Sequence, residues 1–332
     1  MAKYRLQCGF TLLELLITLT LTSFMVMGVL TLFGGVSHTY SLVSTLSEIQ
    51  DNGRFAINFL SQDLRQAGFY GTLSSPTQVI MPASLPTYTD PECKKGDANE
   101  PDWVKNIRNP IYGFDQIDYD PAVFFLDCIP THSSNSDIMV LKMTDYDPID
   151  VGSIVTNLDY LYSDYVQGTL FRKDVDPDPT LPAVGTYWPL KSIVWYVNNN
   201  SAGVPTLYRY DSSMAQILIN ADPSSQWAGE PLVEGIEVMQ ISYGEQSTIG
   251  NFIVDYKTPD QSPNWSLITA IKVELIVRSI NGDYTYTNKN TNICLDAGRN
   301  YSIGNLSYTP SDTFPDCYRR RTLTSIIQLR NF

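Results

Sequence analysis

Histidine is scarce in this sequence: His38 and His132 are the only two among 332 residues. Their isolation gives a Ser-His-Asp constellation no support, and neither a G-x-S-x-G elbow nor an H-E-x-x-H helix occurs. The chain lacks the G-x-x-x-x-G-K-[ST] loop of assembly ATPases. Its five cysteines include no tight C-x-x-C-type pair of the kind that builds structural zinc sites. Basic residues are in the minority, 22 against 35 acids, which disfavours broad contact with a phosphate backbone. Beyond residue 33 no apolar run approaches the ~20 residues needed to cross a bilayer, which argues against a multispan transporter. These absences point away from an enzyme, and no cofactor and no metal is expected.

What is present is a membrane-length segment joined to an ordinary acidic chain. Phe10 to Phe33 is 24 residues long and carries one charge, Glu14. The preceding nine residues hold Lys3 and Arg5 and no acid, and the rest of the chain has a formal charge of −15. Positive charge before the span and acidic bulk after it predict a cytoplasmic N-terminus and an exported main domain. The run is longer than a secretory h-region, and no small-x-small site closes it. With 21 Tyr, 13 Phe and 5 Trp, the exported part can bury a sizeable core. Glu14 is the anomaly, because a carboxylate inside an apolar span is expensive without a partner. Four residues into the run, it can snorkel to the interface of a plain signal-anchor. Alternatively, a cut between Gly9 and Phe10 creates an α-amine that would pair with it.

Gly9-Phe10-Thr11-Leu12-Leu13-Glu14-Leu15-Leu16 resembles the class III signal of type IV pilins and type II secretion pseudopilins. That resemblance implies cleavage after Gly9 by a prepilin peptidase, N-methylation of Phe10, and an assembly role for Glu14. It also implies a stem that sits in the inner membrane first and in a filament core afterwards. In that core Glu14 would pair with the Phe10 amine of a neighbouring subunit, and mispairing would leave a buried charge.

Periodicity predicts that the helix continues. Leu42, Leu46, Ile49, Gly53, Ala56, Leu60 and Leu64 follow alternating steps of four and three, which places them on one stripe. Phe55 and Phe59 form a second apolar pair, and Glu48, Asp51, Asn52, Asn58 and Arg65 occupy the opposite face. Gly68 suits the C′ position. A single helix from Phe10 to Ala67 is expected, or two helices parted at Gly34-Gly35. The runs Asn52-Gly53-Arg54-Phe55-Ala56 and Leu64-Arg65-Gln66-Ala67-Gly68-Phe69 resemble the PilW family of minor pilins. Relatives often continue with Gly-Cys where this chain has Gly71-Thr72, so a local disulfide there is not expected. The E-G-I-E…Y-G block from Glu234 and the Q-L-R-N run ending at Asn331 extend the likeness to the C-terminal part.

The expected fold is α+β and type IV pilin-like. A long N-terminal helix, transmembrane over 10–33, packs on an antiparallel sheet head with large loop-rich insertions. The parts are a leader at 1–9, the helix at 10–68 and a head at 69–332 that includes a variable region at 71–230. Prolines make 71–130 loop-rich, and 71–230 reads as an insertion or a separable subdomain. Strands are predicted at 138–141 (within 137–143), 168–172, 192–197 and 206–210, then more clearly at 232–243, 270–279 and 322–330. In the sixth, Ile271, Val273, Leu275 and Val277 face one way, with Ile276 the exception.

Cys8 falls in the leader, leaving Cys93, Cys128, Cys294 and Cys317. Export permits disulfides, and four cysteines allow three pairings; proximity favours 93–128 and 294–317. Clustered acids at Asp145, Asp147 and Asp150, and at Asp174, Asp176 and Asp178, offer oxygen ligands for calcium but lack the glycine and terminal Glu of the twelve-residue loop. Lys94-Lys95 and Arg319-Arg320-Arg321 are the local basic runs. They are either ordinary surface charges paired with nearby acids or contacts to DNA. The family likeness implies a non-catalytic minor pilin, in a priming or tip complex, with other minor pilins, the major pilin, the prepilin peptidase and the inner-membrane assembly platform as partners. Its location would be the inner membrane, single-pass with a periplasmic head, and then the pilus at the cell surface. The alternatives are a J-type pseudopilin of type II secretion and a tip adhesin with a surface receptor.

Overall fold

A computed structural model of the chain describes residues 11–80, 107, 110–115, 129, 132–156, 158–173, 185–213, 229–247, 250, 252–288 and 290–331. Helix α1 runs without interruption from Leu12 to Gln66, 55 residues. It passes straight through Gly34-Gly35. Each glycine costs a helix about 1 kcal/mol relative to alanine, but breaking the backbone ladder in an apolar segment would cost more per unsatisfied group. Gly68 ends the helix with a φ of 74°, at the position expected for it. By contact density the chain forms two compact units, one up to Glu48 and one from Ile49 onward.

The second unit is built on strands. The first are β1 (Val79–Ile80), β2 (Ile111–Phe114), β3 (Ile138–Thr144), β4 (Asp159–Ser163) and β5 (Gly168–Arg172). Next come β6 (Thr186–Asn199), β7 (Pro205–Asp211), β8 (Glu230–Glu234), β9 (Ile236–Gln246) and β10 (Ile253–Lys257). The last are β11 (Ile268–Arg278), β12 (Tyr301–Ile303), β13 (Leu306–Tyr308) and β14 (Arg320–Gln328). Strands β1 to β8 make one eight-stranded sheet in the order β1-β5-β4-β6-β3-β2, with β7 paired to β6 and β8. All its pairings are antiparallel except β1 with β5. The 14-residue β6 is its hub, pairing β4 through its first residues, β3 through its middle and β7 through its end. A four-stranded antiparallel sheet has the order β10-β9-β11-β14, and β12-β13 form a hairpin.

Region 71–230 therefore does not fold apart. Its Met139, Leu141, Met143, Ile193, Trp195 and Val197 share one core with Ile49, Ala56, Leu60 and Leu64 of α1 and with Met239, Val273, Leu275 and Ile327 of the small sheet. The helix stripe thus touches both sheets. Strand β3 is buried on both faces, because its other side packs Ile138 and Val140 into a second cluster with Tyr196 and Tyr210. A nearly continuous apolar run is what such a strand requires.

The predicted strand over 232–243 is two strands. Gly235 has φ 83°, and an added Cβ would lie 2.7 Å from the Arg278 carbonyl oxygen. There the chain leaves the large sheet as β8 and enters the small one as β9. Its N–H donates to Pro205 O at 2.7 Å, and its own carbonyl accepts from Arg278 N at 2.8 Å, which ties the switch to both sheets. Ile276 is likewise explained: the β12-β13 hairpin covers the outer face of the small sheet and packs Tyr301 and Ile303 on Ile276 and Val238. Strands β1, β2, β4, β10, β12 and β13 have no counterpart in the predicted set.

Lys142 lies on the second face of β3, opposite Ser192, and is 3% exposed. Burial pushes its ammonium down to about 7 from the ordinary 10.5. The folded protein therefore binds fewer protons than the unfolded chain between those values, so stability rises with pH through that window. Urea unfolding between pH 7 and 9 should show a rise approaching about 1.4 kcal/mol per pH unit, absent in Lys142→Met.

Candidate assembly interface

The apolar stem opens with a reciprocal cap. Glu14 N donates to Thr11 Oγ1 at 3.3 Å, and Thr11 N donates to Glu14 Oε2 at 3.0 Å. This is a capping box, carried by the T-x-x-E spacing of Thr11 and Glu14. Oε1 of Glu14 makes no hydrogen bond among the described residues. The cap therefore satisfies a helix-end donor, holds the carboxylate at the start of the helix, and leaves one oxygen for an outside donor. Gly9 and Phe10, the predicted processing residues, lie outside the described residues.

Every large apolar side chain from Leu12 to Tyr40 is at least half exposed, round the whole helix. The stem's hydroxyls, by contrast, are turned inward on their own backbone. Thr18, Thr20, Thr22, Ser23, Thr31 and Thr39 donate to carbonyls three or four residues earlier, at 2.6 to 2.9 Å. Such back-bonding satisfies each hydroxyl without water and suits a segment surrounded by lipid or by other apolar helices. Among the described residues α1 is the one helix long and apolar enough to cross a membrane.

From Ile49 the pattern narrows to a stripe of Ile49, Gly53, Ala56, Leu60, Asp63 and Leu64. At Gly53 a Cβ would lie 2.7 Å from Leu323 Cδ1 and 3.3 Å from Val277 Cγ2, so the glycine sets how closely helix and small sheet approach. Asp63 was missed by sequence reasoning because the periodic pattern counted apolar residues alone. Its Oδ2 accepts from Arg209 Nε at 2.8 Å and from Trp195 Nε1 at 3.1 Å. Arg209 Nη1 also reaches Asp211 at 3.2 Å, and these acids raise the guanidinium pKa despite its partial burial. Arg54, Phe55, Phe59 and Arg65 are exposed.

The motif-like ends meet at the helix C-terminus. Asn331 Nδ2 donates to the carbonyls of Arg65 and Ala67 at 3.3 and 3.1 Å, satisfying groups that a helix end leaves unpaired. Phe69 packs edge-on to Trp188, with ring centroids 5.9 Å apart. Thr72, at the place where relatives carry cysteine, instead bonds Ser163 Oγ at 2.9 Å and donates to Asp164 O at 2.8 Å.

Cys294 and Cys317 form a disulfide with Cα atoms 5.2 Å apart. Cys93 and Cys128 lie outside the described residues, as do Lys94-Lys95 and the acids at 174–178. The arginine triplet is largely consumed internally. Arg320 is buried and held by Glu237 and Asp312 at 2.5 to 2.8 Å, while Arg319 pairs with Asp283 at 2.9 Å. Arg321 alone is exposed, which leaves no dense basic surface there for DNA. Asp145 pairs with Lys191 at 3.4 Å, and no group of three or more His, Cys, Asp or Glu among the described residues is placed to hold a metal.

A hydrophobic stem with a capped carboxylate, running as one helix into a mixed-sheet head, defines a pilin-like subunit. Residues 4–30 match the prokaryotic N-terminal methylation motif, and residues 194–331 match the family described as Type IV Pilus-assembly protein W. The stretch that matches this family includes Trp195, Arg209, Gly235 and Asn331. No curated relative matches. Among solved structures, a type IV-like pilin from Thermus thermophilus aligns with 10% identity over 85% of this chain and 95% of its own, with a TM-score of 0.32. A likeness that low supports no inference about the present chain.

Asp63→Ala should lower the stability of the full chain in detergent by about 1–3 kcal/mol, read from urea unfolding, because Trp195 Nε1 loses its acceptor and Arg209 is left with Asp211 alone. Asp63→Asn, which keeps an acceptor oxygen for Trp195 Nε1, should cost less than Asp63→Ala.

Proposed function

We propose that this protein is a minor pilin of the type IV pilus that works in a priming or tip complex, as a structural subunit without catalysis. The stem carries the reading. It is apolar on all sides, its hydroxyls are internally satisfied, and its one charge sits in a cap with an oxygen to spare. Such a helix is stable alone in lipid and stable again in a bundle of like helices, and it anchors the subunit once in the inner membrane before assembly into the surface pilus. Gly9↓Phe10 cleavage removes residues 1–9 and places a methylated α-amine one residue before the cap. The free oxygen of Glu14 then accepts from the amine of a neighbouring subunit.

The partners on this reading are other minor pilins, the major pilin, the prepilin peptidase and the inner-membrane platform. The head of 264 residues, from 69 to 332, favours an end position, because a thin repeating filament has little room for so large a head at every repeat. Cys93 and Cys128 form the second disulfide of the exported head. DNA contact loses support from the internal pairing of Arg319 and Arg320.

Mass spectrometry of the mature chain should find it beginning at methylated Phe10; an N-terminus at Met1 removes the processing step from this account. Glu14→Ala should leave export and cleavage intact while piliation falls at least tenfold by shear-fraction assay. Normal piliation in that variant would defeat the pairing role.

A further inference from the structure

A cleft of about 410 Å³ opens where the two sheets of the head diverge. Its walls come from the end of β6, the start of β7 and β9, the end of β11, the turn before β3, and Tyr308 of the hairpin. Gly235, where the chain passes from one sheet to the other, is hydrogen-bonded to two of the cleft's lining residues, Pro205 and Arg278.

The lining is unusual in its chemistry. Small-molecule sites are mainly apolar with a few polar groups, whereas this one is built from serine, asparagine, histidine, arginine and glutamate. Arg278 is its unspent charge. Its guanidinium lies 3.8 Å over the Tyr318 ring and is oriented by that stacking. Its Nε is buried without a hydrogen-bond partner, and no ion pair to Arg278 is seen among the described residues. Glu237 lines the same cleft but is committed to Arg320, so it does not neutralise Arg278. The side chains of Ser133, Ser134, Asn135 and Asn199 make no hydrogen bond among the described residues. They supply both donors and acceptors. Half-burial holds His132 below the usual imidazole range, so it adds no second cation near neutral pH.

One planar cation beside several neutral donor–acceptor groups fits one carboxylate on a hydroxyl-rich body. A phosphate group would call for more positive charge, and an apolar ligand would desolvate these groups without compensation. We propose that this cleft binds an acidic saccharide unit, with its carboxylate on Arg278 and its ring hydroxyls on Asn135, Asn199, Ser133 and Ser134. This function is separate from assembly and adds surface recognition to the subunit.

The test is calorimetric titration of the full chain in detergent with glucuronate, glucose and acetate. Glucuronate should bind saturably, with glucose and acetate each at least tenfold weaker. Arg278→Gln should weaken glucuronate at least tenfold. Asn199→Trp, at an exposed position on the cleft wall, should abolish binding with an unchanged melting temperature, which keeps the outcome readable if Arg278→Gln unfolds. Equal binding of acetate would reduce the site to a plain carboxylate site, and equal binding of glucose would remove the role of Arg278. Absence of saturable glucuronate binding, or wild-type affinity in Asn199→Trp, would overturn the proposal.

Discussion

The carboxylate of Asp63 fixes how the helix sits in the head. Ile49, Ala56, Leu60 and Leu64 present a smooth apolar stripe, and dispersion against a core tolerates sliding by one helical turn of about 5.4 Å. A charge on the same stripe does not tolerate it. Only one rotation and one translation bring Asp63 onto both Arg209 Nε and Trp195 Nε1. A buried pair of this kind adds little net stability over an apolar replacement, because desolvation offsets much of the attraction. Its contribution here is register. Gly53 completes the constraint from the other side, since its missing side chain lets Leu323 of β14 and Val277 of β11 close on the helix.

That register matters because α1 serves two solvents in succession along one backbone. In its first part the hydroxyls of Thr18, Thr20, Thr22, Ser23 and Thr31 return to their own helix carbonyls, and Glu14 closes the first turn with Thr11 while keeping one oxygen free among the described residues. Its second part exchanges the all-round apolar surface for a stripe with one charge. The change occurs with no break at Gly34-Gly35, so the helix that senses lipid or neighbouring stems is the same element that both sheets grip.

Much of this was legible from local pattern. The stripe, the C′ glycine and strands β5, β6, β7 and β11 follow from periods of 3.6 and 2 and from turn residues, which need no distant partner. Three features were not legible, for a shared reason. Asp63 reads as an ordinary helix-surface acid until Trp195 and Arg209, 132 and 146 residues away, are in place. Arg320 reads as surface charge until Glu237, 83 residues away, covers it. The break at Gly235 reads as a flaw in a long strand, because nothing local says that the two halves belong to different sheets. Ile276 breaks the alternation of β11 only if the outer face is assumed wet, and the β12-β13 hairpin dries it. The T-x-x-E cap was local and therefore readable, but an apolar span draws the eye to membrane insertion before capping.

The same long-range closure accounts for the PilW-like motifs at both ends. Asn331, after β14, caps the carbonyls at the end of α1, and Leu329 N donates to Thr269 O of β11 at 2.9 Å. Helix, β11 and β14 are thereby stitched into one unit. Both sheets hold the helix, because the stripe from Ile49 to Leu64 lies in one core with both. The helix is thus fixed in the head by contacts that lie far apart in the sequence: Asp63 with Trp195 and Arg209, Gly53 with Leu323 and Val277, and the last carbonyls of α1 with Asn331.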